Sequence, residues 1–249
     1  MTITASARGG TRIRAVATTV STNDDIAALA QAGAAEGVWV RADVQTGGRG
    51  RLGRHWVSPP GNLYASTLVR PLPGDPPAAT LALVAAVALD ELVSAMAGRD
   101  RVQIKWPNDL LLRAGREWCK LTGILLERAD QAIVIGIGVN LAHFPDDLGR
   151  PVTSLAAAGI DPPSPGDFAD DLADAFARWL SRWRGEGLGP VRRRWLERAH
   201  PIGTALVARQ ADGSGIEGLF DGLAEDGALR LRLADGSVHV MHAGDVFLL

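Results

Sequence analysis

Cysteine is nearly absent from this chain: Cys119 is the one example in 249 residues. That excludes an intrachain disulfide framework and any multi-cysteine metal site, and it points to a reducing compartment. Excess charge is absent as well. Lys and Arg number 26 against 28 Asp and Glu, a formal net charge of −2, whereas a general nucleic-acid binder carries a broad basic surface. The start, "MTITASARGGTRIR", has no apolar core for a secretory signal. The most apolar run, "LALVAAVAL" from Leu81 to Leu89, falls far short of the roughly 20 residues that span a bilayer. No internal repeat or heptad array is visible. These absences predict a cytoplasmic protein with no membrane segment, built as one medium domain or as one domain plus a small module.

What is present reads as an α+β fold. Residues 1 to about 12 look like a loose tail. "STNDDIAALAQAGA" predicts a helix, with Ser21, Thr22 or Asn23 as its cap and Asp24 and Asp25 at its positive end. "GVWVRADV" and "NLYASTLV" predict strands, and residues 78 to 97 a helix stopped by Gly98. "RVQIKW", "KLTGILLE" and "AIVIGIGVNL" are further strand candidates. From Asp167 a helix places Phe168, Leu172, Phe176, Trp179, Leu180 and Trp183 along one face, and a second short helix carries Val191, Trp195 and Leu196. After Pro201 the texture changes to short alternating runs separated by Asp-Gly pairs at 212–213, 226–227 and 235–236, which are hairpin signals. Residues 1–200 therefore read as an α+β domain and 201–249 as a small β-barrel module.

One loop stands out. "QTGGRGRLGRHW", Gln45 to Trp56, follows a strand and spells G-x-G-x-x-G at Gly48, Gly50 and Gly53. A dinucleotide fingerprint needs a helix opening inside the motif and an acid about 20 residues on. Here "RHWVSPPGN" follows, and Arg70 stands where the acid would be. No G-K-[ST] and none of the downstream kinase motifs occurs. The charges remain. Arg49 and Arg51 are two apart, so an extended loop would aim both to one side, where two guanidiniums can grip phosphate oxygens. The glycines let backbone N–H groups approach the same anion. A solvated Arg/Gly loop or an RGG-like RNA segment is the alternative. RGG segments lie in long tails, whereas this loop sits between two apolar strands, which favours an ordered anion site.

A second cluster follows. "KWPNDLLL" runs from Lys105 through Pro107 to Asn108 and Asp109, a pattern that a plain Asx turn would also satisfy. Soon after, Lys120 opens the apolar strand "KLTGILLE", where a lysine either snorkels to solvent or meets a buried anion. Glu127 closes that strand and faces solvent or a salt bridge. In "VIGIGVNL", Gly136, Gly138 and Asn140 share one face by period two. Paired strand glycines mark close approach by a ligand or by another backbone. The five histidines form no ligand constellation and read as structural or surface residues.

In order, "STN", "QTGGRGRLGRHW", "GNLYAS", "KWPNDLLL", "KLTGILLE" and "GIGVN" resemble the biotin protein ligases (biotin–[acetyl-CoA-carboxylase] ligases), closely over about residues 18 to 145. The resemblance implies a mixed-sheet catalytic domain of the biotin/lipoate ligase type with a C-terminal SH3-like β-barrel. It implies ATP and biotin as substrates, Mg2+ with the phosphates, a biotinyl-5′-AMP intermediate, and transfer of biotin to a lysine of a biotin carboxyl carrier protein domain of an acyl-CoA carboxylase. Some members carry an N-terminal DNA-binding domain; about seventeen residues precede "TTVSTN" here, so the ligase-only type is expected, without DNA binding, as monomer or homodimer. The arginine and triple-glycine signature of lipoate ligases and octanoyltransferases is missing. Carried over onto this chain, Ser21, Thr22 and Gln45 lie near the biotin ring. Gly48, Arg49, Gly50 and Arg51 enclose the biotin carboxylate and the α-phosphate. Trp56 stacks on adenine or packs in the core. Lys120 bridges carboxylate and phosphate as the essential residue. Asn108 and Asp109 serve the phosphate, the metal or the incoming lysine, and Gly136, Gly138 and Asn140 line the biotin or ribose pocket. The 45–56 loop is expected to order only when ligand binds.

Overall fold

The structure, a computed structural model, describes residues 4–6, 13–145, 149–209 and 214–248. The chain order begins β1 (Thr4–Ser6), β2 (Ile13–Thr19), α1 (Thr22–Gln31), β3 (Trp39–Gln45) and β4 (Leu63–Val69). It continues with α2 (Leu81–Ala97), β5 (Val102–Lys105), β6 (Asp109–Ala114), β7 (Glu117–Ala129) and β8 (Ala132–Val139). Two helices follow, α3 (Pro165–Glu186) and α4 (Gly189–Leu196), and then β9 (Ala205–Arg209), β10 (Gly215–Leu223), β11 (Leu229–Arg232), β12 (Val238–Met241) and β13 (Asp245–Leu248). Two of the larger sheet's eight strands come as additions to the expected set: β2, and β6 inside the "NDLLL" run. A third, β1, pairs Thr4–Ser6 with β2 where a loose tail was expected; the rest of residues 1–12 lies outside the described residues.

The eight strands run in the order β1-β2-β3-β4-β8-β7-β6-β5. Among these strands β2 and β3 alone pair in parallel, joined by α1, because a parallel pair needs a crossover element. Strand alternation divides the sheet's two faces. Leu63, Ala65 and Val69 of β4 enter the core beneath α2 and α3, whereas Leu68, with Val40, Ala42 and Val134, packs under Ile26 and Ala30 of α1. Further along that second face lie Tyr64, Ser66, Gly136 and Gly138, and the site is built there.

Burial accounts for the composition of the helices. By length and hydropathy alone, Ala78–Ala97 could cross a membrane, with a mean hydropathy of 1.8. In the fold Leu81, Leu83, Val84, Val87, Leu89 and Val93 are buried between the sheet, α3 and α4, so an apolar surface nearly all round is what a core helix requires. The stripe read along α3 is buried throughout. The helix starts at Pro165, with the Ser164 hydroxyl accepting from the Asp167 N–H at 3.1 Å.

The C-terminal strands form an antiparallel sheet in the order β12-β11-β10-β9-β13. Among the described residues β12 and β13 are edges and do not pair with each other, so the expected barrel is an open sheet. The turns at Asp226-Gly227 and Asp235-Gly236 place their glycines at φ +86° and +85°, in the left-handed region where a Cβ is costly. The pair at 212–213 lies outside the described residues. One hydrophobic core runs from the large sheet through Trp195 into Phe220, Leu229 and Val246 of the second sheet, with the Trp195 and Phe220 rings 6.4 Å apart.

Candidate active site

A β-bulge aims the central lysine. Strand β7 pairs with β6 as Leu110↔Thr122 and then Leu111↔Lys120, so Leu121 is an extra residue. On its other edge Lys120 pairs with a neighbouring segment: its N–H donates to Pro151 O at 2.9 Å and its carbonyl accepts from the Thr153 N–H at 3.0 Å. An inserted residue reverses the alternation. Leu121 and Ile124 both enter the core, while Lys120, Gly123 and Leu125 line a cavity on the opposite face.

That cavity measures 380 Å³ and is lined by Gly50, Arg51, Arg54, Trp56, Asn108, Asp109, Lys120, Arg150, Asp245 and Phe247, among others. Asp109 lies at its floor, 4% exposed. It is ion-paired to Lys120, 3.3 Å from Lys105 Nζ and 4.0 Å from Arg150. Burial pushes the Asp109 carboxyl up, but the surrounding cations outweigh it and hold the group at about 2. Burial also draws the Lys120 ammonium below its ordinary value, against the opposing pull of Asp109. Asn108 donates its side-chain N–H to Ile124 O at 2.7 Å, which fixes its oxygen toward Arg51 Nη1 at 3.4 Å.

A smaller hollow of 30 Å³ adjoins the cavity, lined by Ser21, Thr22, Asn23, Gln45, Arg49, Trp56, Tyr64, Gly136 and Gly138 among others. The Gln45 side-chain oxygen accepts from both the Thr22 N–H (2.9 Å) and the Thr22 hydroxyl (3.1 Å), and that hydroxyl lies 2.7 Å from Ser66 Oγ. Ser66 donates to Asn23 Oδ1 at 2.6 Å. Gly136 and Gly138 are needed here for closeness. A Cβ on Gly136 would collide with Asn23 Oδ1, and one on Gly138 would lie 2.7 Å from the Trp56 ring. The alternatives left open for these glycines, ligand or packing, thus resolve first as packing against side chains that themselves line the hollow.

Trp56 stands between the two spaces and lines both. Its ring centroid is 5.7 Å from Lys120 Nζ, and its Nε1, although buried, has no hydrogen-bond partner among the described residues. A third, minor hollow beside it is lined by Lys120 and Asn140. The Asn140 amide donates to Thr153 O at 3.1 Å, which braces the segment that pairs with Lys120.

The glycine–arginine loop folds back on itself. The Gly47 N–H donates to Val20 O at 2.8 Å, the Gly50 N–H to Arg54 O at 2.7 Å, and the Trp56 N–H to Gly48 O at 2.9 Å. A Cβ on Gly48 would sit 2.6 Å from Trp56 O, so only glycine permits that approach. Contrary to expectation, Arg49 and Arg51 do not aim to one side. Arg49 reaches Asp24 at 2.5 Å and Glu127 at 3.1 Å beside the small hollow. Arg51 reaches Asp245 at 3.0 Å across the large cavity. The backbone is extended at Gly50 between them, yet the long side chains diverge toward carboxylates on different elements; a single 3-10 turn, Arg51–Gly53 with Leu52 at φ +57°, follows. Gly48 packs behind the loop rather than lining either space.

Sequence similarity agrees with this geometry. Residues 16–140 match the biotin/lipoate A/B protein ligase family, and residues 205–249 match the biotin protein ligase C-terminal domain. A biotin–[acetyl-CoA-carboxylase] ligase of Paracoccus denitrificans is 41% identical over 243 residues, covering 93% of this chain and 98% of that one. The chain belongs to the biotin/lipoate A/B protein ligase family. Among solved structures, a biotin protein ligase of Aquifex aeolicus in complex with biotin and ATP superposes with a TM-score of 0.82 at 21% identity, over 95% of this chain and 99% of that one. One of Leishmania major in complex with biotinyl-5-AMP gives 0.65 at 25% identity, over 93% and 98%.

Several residues that line or brace these spaces have no motif signal. Asn23, inside "STN", has the signature of a helix cap alone, and Lys105 only opens "KWPND". Glu127 is a salt-bridge residue, which also accepts from the Asn23 amide at 2.5 Å. Ser66, Arg54, Arg150 and Asp245 carried no signal, because their partners lie far along the chain.

Proposed function

We propose that this protein activates biotin with ATP to form biotinyl-5′-AMP and pyrophosphate, and then transfers biotin to a lysine of a biotin carboxyl carrier protein domain of an acyl-CoA carboxylase. The observation that carries the reading is the placement of Trp56 between two spaces of different character, with Lys120 in the larger of them 5.7 Å from its ring centroid. The walls of the small hollow offer hydroxyl and amide groups whose chemistry suits the hydrogen-bonding edges of a compact heterocycle, and at 30 Å³ the hollow has to widen to admit one. The large cavity is lined by four cations, Arg51, Arg54, Lys120 and Arg150, against two carboxylates, Asp109 and Asp245. That surplus suits a polyphosphate.

In the first step a biotin carboxylate oxygen attacks the α-phosphorus, and the bond to pyrophosphate breaks. Negative charge concentrates where the two spaces meet, within reach of the Lys120 ammonium, which is already positioned and needs no reorganisation. In the second step the carrier amine attacks the anhydride carbonyl and AMP leaves. Of the roles left open for Asp109, the geometry supports that of counter-ion to Lys120. A carboxyl held at about 2 is too weak a base to take a proton from the carrier amine. The 45–56 loop, tied by Arg49 on one side and Arg51 on the other, covers both spaces and shields the anhydride from water.

The donor set does not fit an Mg2+ held by protein alone. Among the described residues no group of three or more His, Cys, Asp or Glu converges on one point, and both cavity carboxylates are engaged by cations. No step is therefore routed through a metal. The single cysteine suits a cytoplasmic setting, and no DNA-binding role is proposed.

Pyrophosphate exchange into ATP, run separately with biotin, lipoate and octanoate, tests the reading. Exchange with biotin alone is the expected result. Exchange with lipoate and not with biotin would overturn the substrate, and binding of biotin without any exchange would make the protein a sensor.

A further inference from the structure

Within this ligase reading, the C-terminal module supplies a side chain to the reaction site. Strand β13 alternates Asp245, Val246 and Phe247. Val246 is buried in the core, while Asp245 and Phe247 line the large cavity. One Asp245 oxygen accepts from Arg51 Nη1 at 3.0 Å, and the other accepts from Arg54 Nη2 at 2.5 Å. Two guanidiniums of the glycine-rich loop thus converge on one carboxylate from another sheet. At the next residue of β13 Lys105, already paired with Asp109, donates to Val246 O at 3.0 Å. Strand β13 is thus tied both to the glycine-rich loop, through Asp245, and to β5 of the large sheet, through Val246.

The geometry points to Asp245 as a positioning residue for ATP. Two adjacent guanidiniums repel, and a carboxylate between them offsets that repulsion while leaving a net positive charge for a phosphate. The hydrogen bonds also leave donors over. Arg51 engages Asp245 and Asn108 through Nη1 alone, so its Nε and Nη2 have no protein partner among the described residues. Arg54 uses Nε on Arg51 O and Nη2 on Asp245, which leaves Nη1. Asp245 therefore holds the two forks side by side without consuming them, and the nucleotide's phosphates meet an arginine pair whose ordering is already in place.

The test is pyrophosphate exchange by the full chain, with KM for ATP, KM for biotin and kcat determined separately, and with melting curves for each variant. Asp245→Asn should raise KM for ATP by about tenfold or more and leave KM for biotin within about twofold. Asp245→Glu, which restores the charge, should recover most of the loss. In an Arg51→Ala background Asp245→Asn should add less than about threefold, because Asp245 acts through that arginine. If Asp245→Asn does not fold, Arg54→Gln, at the exposed end of the bridge, carries the test with an expected rise in KM for ATP of about threefold. An unchanged KM for ATP in the folded variant, a lowered one, or an undiminished effect without Arg51 overturns the proposal. Lack of exchange in the unaltered protein would instead overturn the ligase reading.

Discussion

Replacing Asp109 with asparagine removes the negative charge that Lys120, Lys105 and Arg150 share at the cavity floor. At an effective dielectric of roughly 20, a unit-charge pair 4 Å apart is worth about 4 kcal/mol before desolvation is counted. Stripping one partner from a buried pair costs roughly 3–5 kcal/mol, because the remaining charge has no compensation. Asp109 is 4% exposed, so the low-solvent case applies. Asp109→Asn should therefore lose about 3–5 kcal/mol in urea unfolding with the slope unchanged. Lys120→Met should lose less, about 1–3 kcal/mol, since Asp109 keeps Lys105 and Arg150. Inorganic pyrophosphate separates charge from packing. It should raise the melting temperature of Asp109→Asn more than that of the parent, because an added polyanion binds tightest where cations lack a partner. A loss below about 1 kcal/mol for Asp109→Asn, or a larger loss for Lys120→Met, would refute the counter-ion role.

Three further outcomes are expected. Lys120→Ala should cut the rate of pyrophosphate exchange by about 10²-fold or more through loss of a transition-state charge, and near-normal exchange would remove Lys120 from the mechanism. Gly136→Ala drives a Cβ into Asn23, whose side chain is held by Ser66 and Glu127 and cannot yield freely; biotin affinity by calorimetry should fall about tenfold, with a stability loss of roughly 1–3 kcal/mol, and unchanged affinity would place Gly136 outside the pocket. His200, whose folded value burial and then Lys105 push down from 6.5 to about 4, is neutral in the fold. The unfolded chain takes up the proton first as pH falls, so its contribution is complete above pH 6.5 and is lost progressively toward pH 4. Going from pH 7 to 5 should cost about 2 kcal/mol, and His200→Gln should flatten that part of the profile in denaturant titrations.

Much of this protein is written in local patterns. The α3 stripe from Phe168 to Trp183, the Asp-Gly turns of the second sheet and the strands around "LYASTLV" and "IVIGIGV" follow from periodicity and turn chemistry, which depend only on near neighbours. The motifs brought Ser21, Thr22, Gln45, Gly136 and Gly138 to one hollow and Arg51, Asn108, Asp109 and Lys120 to one cavity. Other features have no local signature. Residues of β2 and β6 form strands because neighbouring strands pair with them on both sides, a property of the sheet rather than of their own sequence. Lys120 shares a face with Gly123 only because Leu121 is an extra residue in the β6–β7 ladder, while Lys120 itself bonds to the 151–153 segment. Arg49 and Arg51 part company because their partners lie apart in space, Asp24 and Glu127 for one and Asp245 for the other. Arg51 and Asp245 are separated by 194 residues. The sequence alone determined which chemistry this chain carries, through residue types at fixed short spacings. Which charges meet was decided by the tertiary structure, because an ion pair depends on distance in space and the chain encodes that distance only through the packing of the whole.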